Sequence, residues 1–357
     1  MPSFFNLQTE VNISQLTESG LGLWLTNEYA GRKKVIFVDS NTMEYCLPVL
    51  INFIDGLSEA EIIEIPAGEE NKTLDICFSV WESLTDYEFS RNDLFICLGG
   101  GMICDMGGFI ASLYKRGMDC IYIPTSLLAI VDASIGGKTG VDMGPHKNHL
   151  GIFSFPRKVY IDLDFLSTLP QREVMNGWAE MLKHSLIADE SHFRDMENCI
   201  VEISTIPPEW IEKSLRIKNE IVESDPKESG RRKLLNFGHT AGHAIEGALL
   251  QTSEPMDHGL AVAHGMLVEA KISALMNYIS PDEFEQVRRC ISKNFELRKF
   301  DEADFSTFVQ LMRQDKKRKD EKVRFTLLTG IGQAEWDVVV EESVLNEALK
   351  VLSGVKN

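Results

Sequence analysis

Short, β-branched apolar runs separated by stretches of helical periodicity fill the first half of this chain and then stop. The runs fall at 34–40 (KVIFVDS), 61–65 (EIIEI), 94–98 (LFICL), 120–124 (CIYIP) and 159–162 (VYID), each bounded by turn or polar residues. Runs this short and this apolar read as strands buried on both faces. Between them, 71–87 sets Leu74, Cys77, Val80, Trp81 and Leu84 at helical spacing. The alternation predicts βαβ units and therefore a mostly parallel sheet covered by helices. Ligands on such a sheet bind at the carboxyl ends of the strands.

From about Gln171 the strand signal is absent until 324–328 (RFTLL), while 177–188, 211–224, 261–278 and 282–294 carry helical periodicity. The expectation is an α/β chain of two domains, a sheet domain over 1–170 and a mainly α-helical domain over 171–357. A length of 357 residues suits two domains, and 44% hydrophobic with 25% charged residues excludes a disordered or collagen-like chain. No apolar run approaches the ~18–20 residues of a membrane helix, and MPSFFNLQTEVNIS is not patterned as a secretory signal. Seven cysteines, mostly inside apolar segments, read as reduced thiols, so a cytoplasmic location is expected. With 54 acidic against 36 basic residues the net charge is −18, which repels nucleic acid and anionic membranes. An anionic ligand would need cations gathered locally against that field. The charge run at 315–322 (DKKRKDEK) reads on its own as a solvated loop.

Two glycine regions stand out. Gly99, Gly100 and Gly101 directly follow the run at 94–98, and Asp105, Gly107 and Gly108 come soon after. Glycines between strand and helix let backbone N–H groups close on a pyrophosphate, although a tight turn alone would also explain them. Asp39 ends the first apolar run, where it could accept hydrogen bonds from a ribose or cap a helix. The second region, DASIGGKTGVD at 132–142, is followed by His146, Lys147 and Asn148. Lys138, Lys147 and Asn148 around flexible backbone suit phosphate or carboxylate recognition.

The second half holds the metal candidates. His239 and His243 are four apart on one helix face, His258 and His264 follow, and Glu180 precedes them. Nitrogen and carboxylate ligands with an open position describe a catalytic zinc-type site. Spacing alone does not choose among the four histidines, and His184, four residues after Glu180, competes with them. Lys183, Lys218, Arg232 and Asn236 would make, with the histidines, a site for a dianion beside a metal.

GGGMICDMGGF, PTSLLAIVDASIGGKTGVD, KNHLGIF, GWAEMLKHSLI, LLNFGHTAGHAIE and HGLAVAHGM stand in one order along the chain. In these motifs, from about Asp39 to Gly332, the chain resembles the 3-dehydroquinate synthases of the sugar phosphate cyclase superfamily. The resemblance implies a Rossmann-like NAD-binding domain followed by a helical metal-binding domain. It implies a divalent metal, zinc first and cobalt second, held by Glu180, His239 and His258, and it gives His243 to the substrate. Lys138, Asn148, Lys183, Lys218, Arg232 and Asn236 match substrate positions, and Asp132 matches a residue near nicotinamide and metal. Arg116, in YKRGM, matches an arginine that reaches the substrate phosphate of a neighbouring subunit, which implies a homodimer. The matching NAD positions are Asp39, Glu69, Lys72, Gly100, Gly101, Asp105, Thr125, Ser126, Lys138, Lys147, Phe165 and Thr168. A late substrate lysine falls at Lys316 or Lys317.

The implied activity is that of a lyase, converting 3-deoxy-arabino-heptulosonate 7-phosphate to 3-dehydroquinate and phosphate on the shikimate route to aromatic amino acids. Its steps are transient oxidation by NAD, phosphate elimination, reduction, ring opening and intramolecular aldol closure. Cys104 departs from the family at a usual glycine of the pyrophosphate loop. His149, His184 and His264 stand where apolar or aromatic residues are more frequent, and Leu260 stands for a frequent glutamate. The alternatives are a cyclase acting on another sugar phosphate, and a metal-dependent polyol dehydrogenase, which would accumulate NADH as substrate is consumed.

Overall fold

All five apolar runs become strands. A computed structural model of the chain describes residues 3–6, 9–144, 146–250, 252, 254–315 and 323–353. The chain folds as two compact units, Met1–Glu173 and Val174–Asn357. The strands of the first unit are β1 (Ser3–Asn6), β2 (Thr9–Ile13), β3 (Lys34–Asp39), β4 (Glu61–Ile65), β5 (Leu94–Gly99), β6 (Asp119–Pro124), β7 (Lys138–Met143), β8 (His146–Phe153) and β9 (Lys158–Ile161). Seven of them form one sheet in the order β1-β2-β9-β6-β5-β3-β4. β1 pairs antiparallel with β2, and every other neighbouring pair is parallel.

The pleat explains the apolar runs. Ile36, Val38, Leu94, Ile96, Leu98, Ile121 and Ile123 belong to one buried cluster. The residues between them point the other way, onto the helix Gly101–Leu113. That helix lies very close to the sheet: a Cβ at Gly107 would collide with Cys97 Sγ, and one at Gly108 with the Tyr122 hydroxyl. Both faces are therefore dry, and all six residues of β5 are buried. β2 escapes a sequence reading because TEVNI buries only alternate residues. The second glycine region is not loose backbone either. β7 and β8 form an antiparallel ladder in which Gly140 faces Gly151, and glycines in both strands erase the alternation that would announce it.

The second unit is helical, with Gln171–Ala188, Glu190–Met196, Pro208–Ser224, His239–Leu249, His258–Leu275, Pro281–Asn294, Glu302–Asp315 and Glu342–Leu349. Local chemistry sets several of the starts. Asp189 caps one helix, and Ser280 with Glu283 forms a reciprocal capping box on another. The core gathers Ile245, Val268, Ile272, Phe308, Met312 and Phe325 from four elements. The run at 324–328 is β10 (Arg324–Gly330), paired with an unexpected β11 (Gln333–Val339) whose residues are mostly half-exposed and so carry little apolar signal. No helix among the described residues is long and apolar enough to cross a membrane. All seven cysteines are free thiols, six of them buried.

Candidate active site

In the first unit, most of the residues matched to NAD positions follow the carboxyl ends of adjacent parallel strands. Glu69 and Lys72 follow β4, Asp39 ends β3, Gly100 and Gly101 follow β5, Thr125 and Ser126 follow β6, and Phe165 and Thr168 follow β9. Gly100 is the N-terminal cap of the Gly101–Leu113 helix. A Cβ there would sit 3.4 Å from Ser126 Oγ, and one on Gly101 would sit 3.5 Å from Ala133 Cβ. Both are ordinary contacts, so what suits this place to a pyrophosphate is the start of a helix at the end of β5, beside β6. Cys104 does not intrude on it. Its thiol is buried, 3.9 Å from the Gly99 carbonyl.

Asp39 is a helix cap: its Oδ1 accepts from the Thr42 amide at 2.8 Å, and Thr42 Oγ1 accepts from the Asp39 amide at 3.0 Å. Lys72 is buried with its Nζ 2.7 Å from Asp105 Oδ2 and 3.5 Å from Glu69 Oε1. Burial works against the ammonium, but the two carboxylates outweigh it and hold its pKa above the ordinary lysine value. The Lys72 carbonyl accepts from the Asp142 amide at 2.9 Å, and Asp142 Oδ1 accepts from the Asn148 amide at 2.7 Å. The β7–β8 hairpin, which carries Lys138, Lys147, Asn148 and the exposed His149, is thereby tied to the strand ends. Asn148 is held in the left-handed region at φ 51°. Asp132 sits in a π-helical turn, Ala129–Ala133, just after β6, the kind of local distortion found at functional sites. Arg116 lies elsewhere. It follows the Gly101–Leu113 helix and precedes β6, so it sits at the amino end of the strands, exposed, at φ 69°.

In the second unit, three helices bring Glu180, His239 and His258 together, with their donor atoms within 4.8 Å of one another. Glu180 Oε1 is 3.3 Å from His239 Nε2 and 3.6 Å from His258 Nε2. Lys183, one turn on, pairs with Glu180 Oε2. Burial alone would push the Glu180 carboxyl up, yet the Lys183 ammonium and the two imidazoles hold it well below the usual carboxylate range. Both Glu180 oxygens are buried, and these ionic contacts with Lys183 and the two imidazoles are what face them. His239 Nδ1 donates to the Phe237 carbonyl at 3.2 Å, which turns Nε2 toward the Glu180 carboxylate. A buried carboxylate and two imidazole nitrogens converging on one point make a donor set that fits a divalent metal with N and O ligands.

The second unit also holds residues that the sequence reading missed. Glu246 Oε2 lies 3.6 Å from His258 Nδ1, and with Glu180 on the other side it holds His258 up at about 9 despite burial. Glu246 was visible in principle, being three residues after His243 on the same helix face. Glu269 Oε2 accepts from the Gly238 amide at 2.7 Å and Oε1 from the Ala241 amide at 3.1 Å. Gly238 starts that helix at φ 79°, where a Cβ would meet the Met266 side chain at 2.5 Å. Asn176 Oδ1 accepts from the Gly259 amide at 2.8 Å and fixes the start of the His258 helix.

Lys218 and Arg232 are buried, and Asn236 is half-buried. Arg232 Nη1 donates to the Pro226 carbonyl at 2.7 Å, and Asn236 Nδ2 donates to Glu228 Oε1 at 2.9 Å. Asp225 anchors their loop. Burial would raise its pKa, but amides of Gly230, Ser229 and Arg232 hold it down at about 2. His243 joins the cluster by its ring, 5.1 Å from that of His239. His264 does not: Nδ1 faces the Leu260 carbonyl at 2.8 Å and Nε2 the Arg298 carbonyl at 3.1 Å. His184 Nδ1 shares a 2.7 Å hydrogen bond with Ser214 Oγ. Lys316 and Lys317 lie outside the described residues.

Solved structures with this architecture include two cyclising synthases and, more loosely, a probable glycerol dehydrogenase from Sinorhizobium meliloti, with a TM-score of 0.62 at 15% identity over 96% of both chains. A 2-deoxy-scyllo-inosose synthase solved with carbaglucose-6-phosphate, NAD+ and Co2+ superposes with a TM-score of 0.85 at 22% identity, over 98% of this chain and 99% of that one. The 2-epi-5-epi-valiolone synthase of Streptomyces hygroscopicus, with NAD+ and Zn2+ bound, gives 0.86 at 24% identity over 99% of both chains. At that identity the likeness speaks for the fold. Sequence goes further. The family models described as 3-dehydroquinate synthase N-terminal and C-terminal match residues 62–176 and 177–318. The 3-dehydroquinate synthase of Parabacteroides distasonis is 39% identical over 321 residues, 89% of each chain. The chain belongs to the 3-dehydroquinate synthase family.

Proposed function

We propose that the chain catalyses the family reaction as a phosphate-eliminating lyase, converting 3-deoxy-arabino-heptulosonate 7-phosphate to 3-dehydroquinate and phosphate. The observation that carries the reading is the buried Glu180–His239–His258 set beside Lys183, in a chain 39% identical to a named synthase. Residues 1–170 would form the NAD-binding domain and 171–357 the metal- and substrate-binding domain. When bound, the metal, zinc first, supplies a Lewis acid for a substrate hydroxyl, and NAD supplies a hydride acceptor.

The chain's own groups do the rest. Phe237 fixes the His239 tautomer and Glu246 faces the far nitrogen of His258, so both Nε2 atoms stay turned to Glu180. Lys183, Lys218 and Arg232 supply buried positive charge for a carboxylate and a phosphate, opposing the −18 of the whole chain. Lys138, Asn148, Asn236 and His243 bind and orient the substrate chain, and Asp132 stands beside the reacting carbons. Arg116, exposed and distant from its own strand ends, would serve the partner of a homodimer. Seven free thiols suit a reducing compartment, in keeping with a cytoplasmic location.

Incubation with 3-deoxy-arabino-heptulosonate 7-phosphate, trace NAD and zinc tests the reading. Phosphate should be released over many turnovers per NAD with no net NADH absorbance. NADH rising in step with substrate loss would instead favour a polyol dehydrogenase. Arg232→Ala should raise KM about tenfold or more, since a charge-assisted contact is worth about 1.5–3 kcal/mol. Mixing Arg116→Ala with Lys183→Ala protein should recover activity through hybrid dimers. No recovery after confirmed subunit exchange would remove Arg116 from the site.

A further inference from the structure

His258 has two ring nitrogens, and each faces its own set of metal-type donors. Nε2 faces Glu180 and His239, while Nδ1 faces Glu246 Oε2 at 3.6 Å. One donor atom each from His243, Glu246 and His258 lie within 4.8 Å of one another, a limit that the Glu180, His239 and His258 group also meets. A gap of 3.6 Å is too long for a hydrogen bond. It is close to the ~3.4 Å that separates two ligands each about 2.1 Å from one tetrahedral ion. Glu246 is buried and His243 is exposed, so the second group has an anionic floor and an open side from which an ion can enter.

We propose that His243, Glu246 and His258 Nδ1 form a second, weaker seat for a divalent transition ion, sharing the His258 ring with the seat at Glu180. With both seats filled, one ring nitrogen of His258 would serve each. Two imidazole nitrogens and one carboxylate suit zinc, cobalt or nickel rather than magnesium or calcium. An ion there also takes His243 away from the substrate, so filling the second seat inhibits. This inference rests on the reading that Glu180, His239 and His258 hold the working metal.

The test is a titration of the chelator-stripped full chain with Co2+, following bound cobalt per chain by elemental analysis and visible absorption. Two equivalents should bind, the second at least about tenfold more weakly. Phosphate release should rise with the first equivalent and fall with the second. His243→Ala and His243→Gln change an exposed residue; both should keep the first equivalent and lose the second. A single equivalent at the highest free cobalt overturns the second seat alone. So does a second equivalent that survives both His243 variants. A rate that stays level as the second equivalent binds overturns the inhibition. No bound cobalt at all overturns the underlying metal reading together with this one.

Discussion

At the carboxyl ends of β3, β5 and β6 the first unit offers glycine backbone, a helix N-terminus and hydroxyls; around Glu180 the second unit offers side chains alone, buried and charged. The first kind of site takes its geometry from strand register, which the whole sheet maintains together. The second depends on a few groups whose charges must balance inside a low-dielectric interior. Exchange of one side chain should therefore be felt more at Glu180 than at the glycine loop. Lys72 with Asp105 is the exception in the first unit, an ion pair between a buried lysine and a half-buried aspartate at the strand ends.

The largest effect expected is at the side-chain site. His258→Ala should empty the metal seat and lower phosphate release at least about a thousandfold, because a Lewis acid is worth several kcal/mol in the transition state. Full metal occupancy by elemental analysis in that variant would break the comparison, since the site would then not depend on its individual ligands. Next comes the exception. Lys72→Met leaves Asp105 without its partner and should cost about 3–5 kcal/mol of stability, read from denaturant midpoints. A cost under about 1 kcal/mol, the range of exposed pairs, would mean that this pair behaves as a surface one.

A smaller effect separates buried charge from buried neutrality. His192 is fully buried with neither ring nitrogen hydrogen-bonded. Burial, with Lys213 adding to it, lowers its pKa to about 4. Unfolded, it titrates near ~6.5. Between those values the unfolded chain binds more protons, so this contribution is complete above pH ~6.5 and falls by about 3 kcal/mol on acidification to pH ~4. His192→Leu should flatten that part of the pH–stability curve; an unchanged slope would place its origin elsewhere. The smallest effect is expected at His264, whose two nitrogens face carbonyls. His264→Ala should leave metal content unchanged, and loss of metal would enlarge the cluster beyond the residues named here.

The strands were the most legible part of this chain. LFICL and CIYIP are short, apolar and bounded, and burial on both faces is the reason they read so clearly. β2 and β11 escaped because a strand with half-exposed residues carries no such run. The helical half was legible by periodicity, but the identity of the ligands was not. Four histidines at helical spacing do not say which rings converge, since that depends on how helices distant in sequence pack. His264 shows the difficulty. It shares a helix with His258, yet it turns to backbone carbonyls. The supporting carboxylates were readable only in part. Glu246 shares a helix face with His243, and Glu269 is a lone acid in the apolar stretch HGLAVAHGMLVEAKISAL, where an unpaired charge would be costly.

The carboxylate of Glu269, buried on the His258 helix, accepts from two amides at the start of the His239 helix. It stitches the two segments that carry His239, His243 and His258 into one cooperative block. Those amides have no route to solvent that does not also pull the helices apart. The spacing of the rings is then either intact or lost as a whole. Whatever opens those amides to solvent would displace all three rings together.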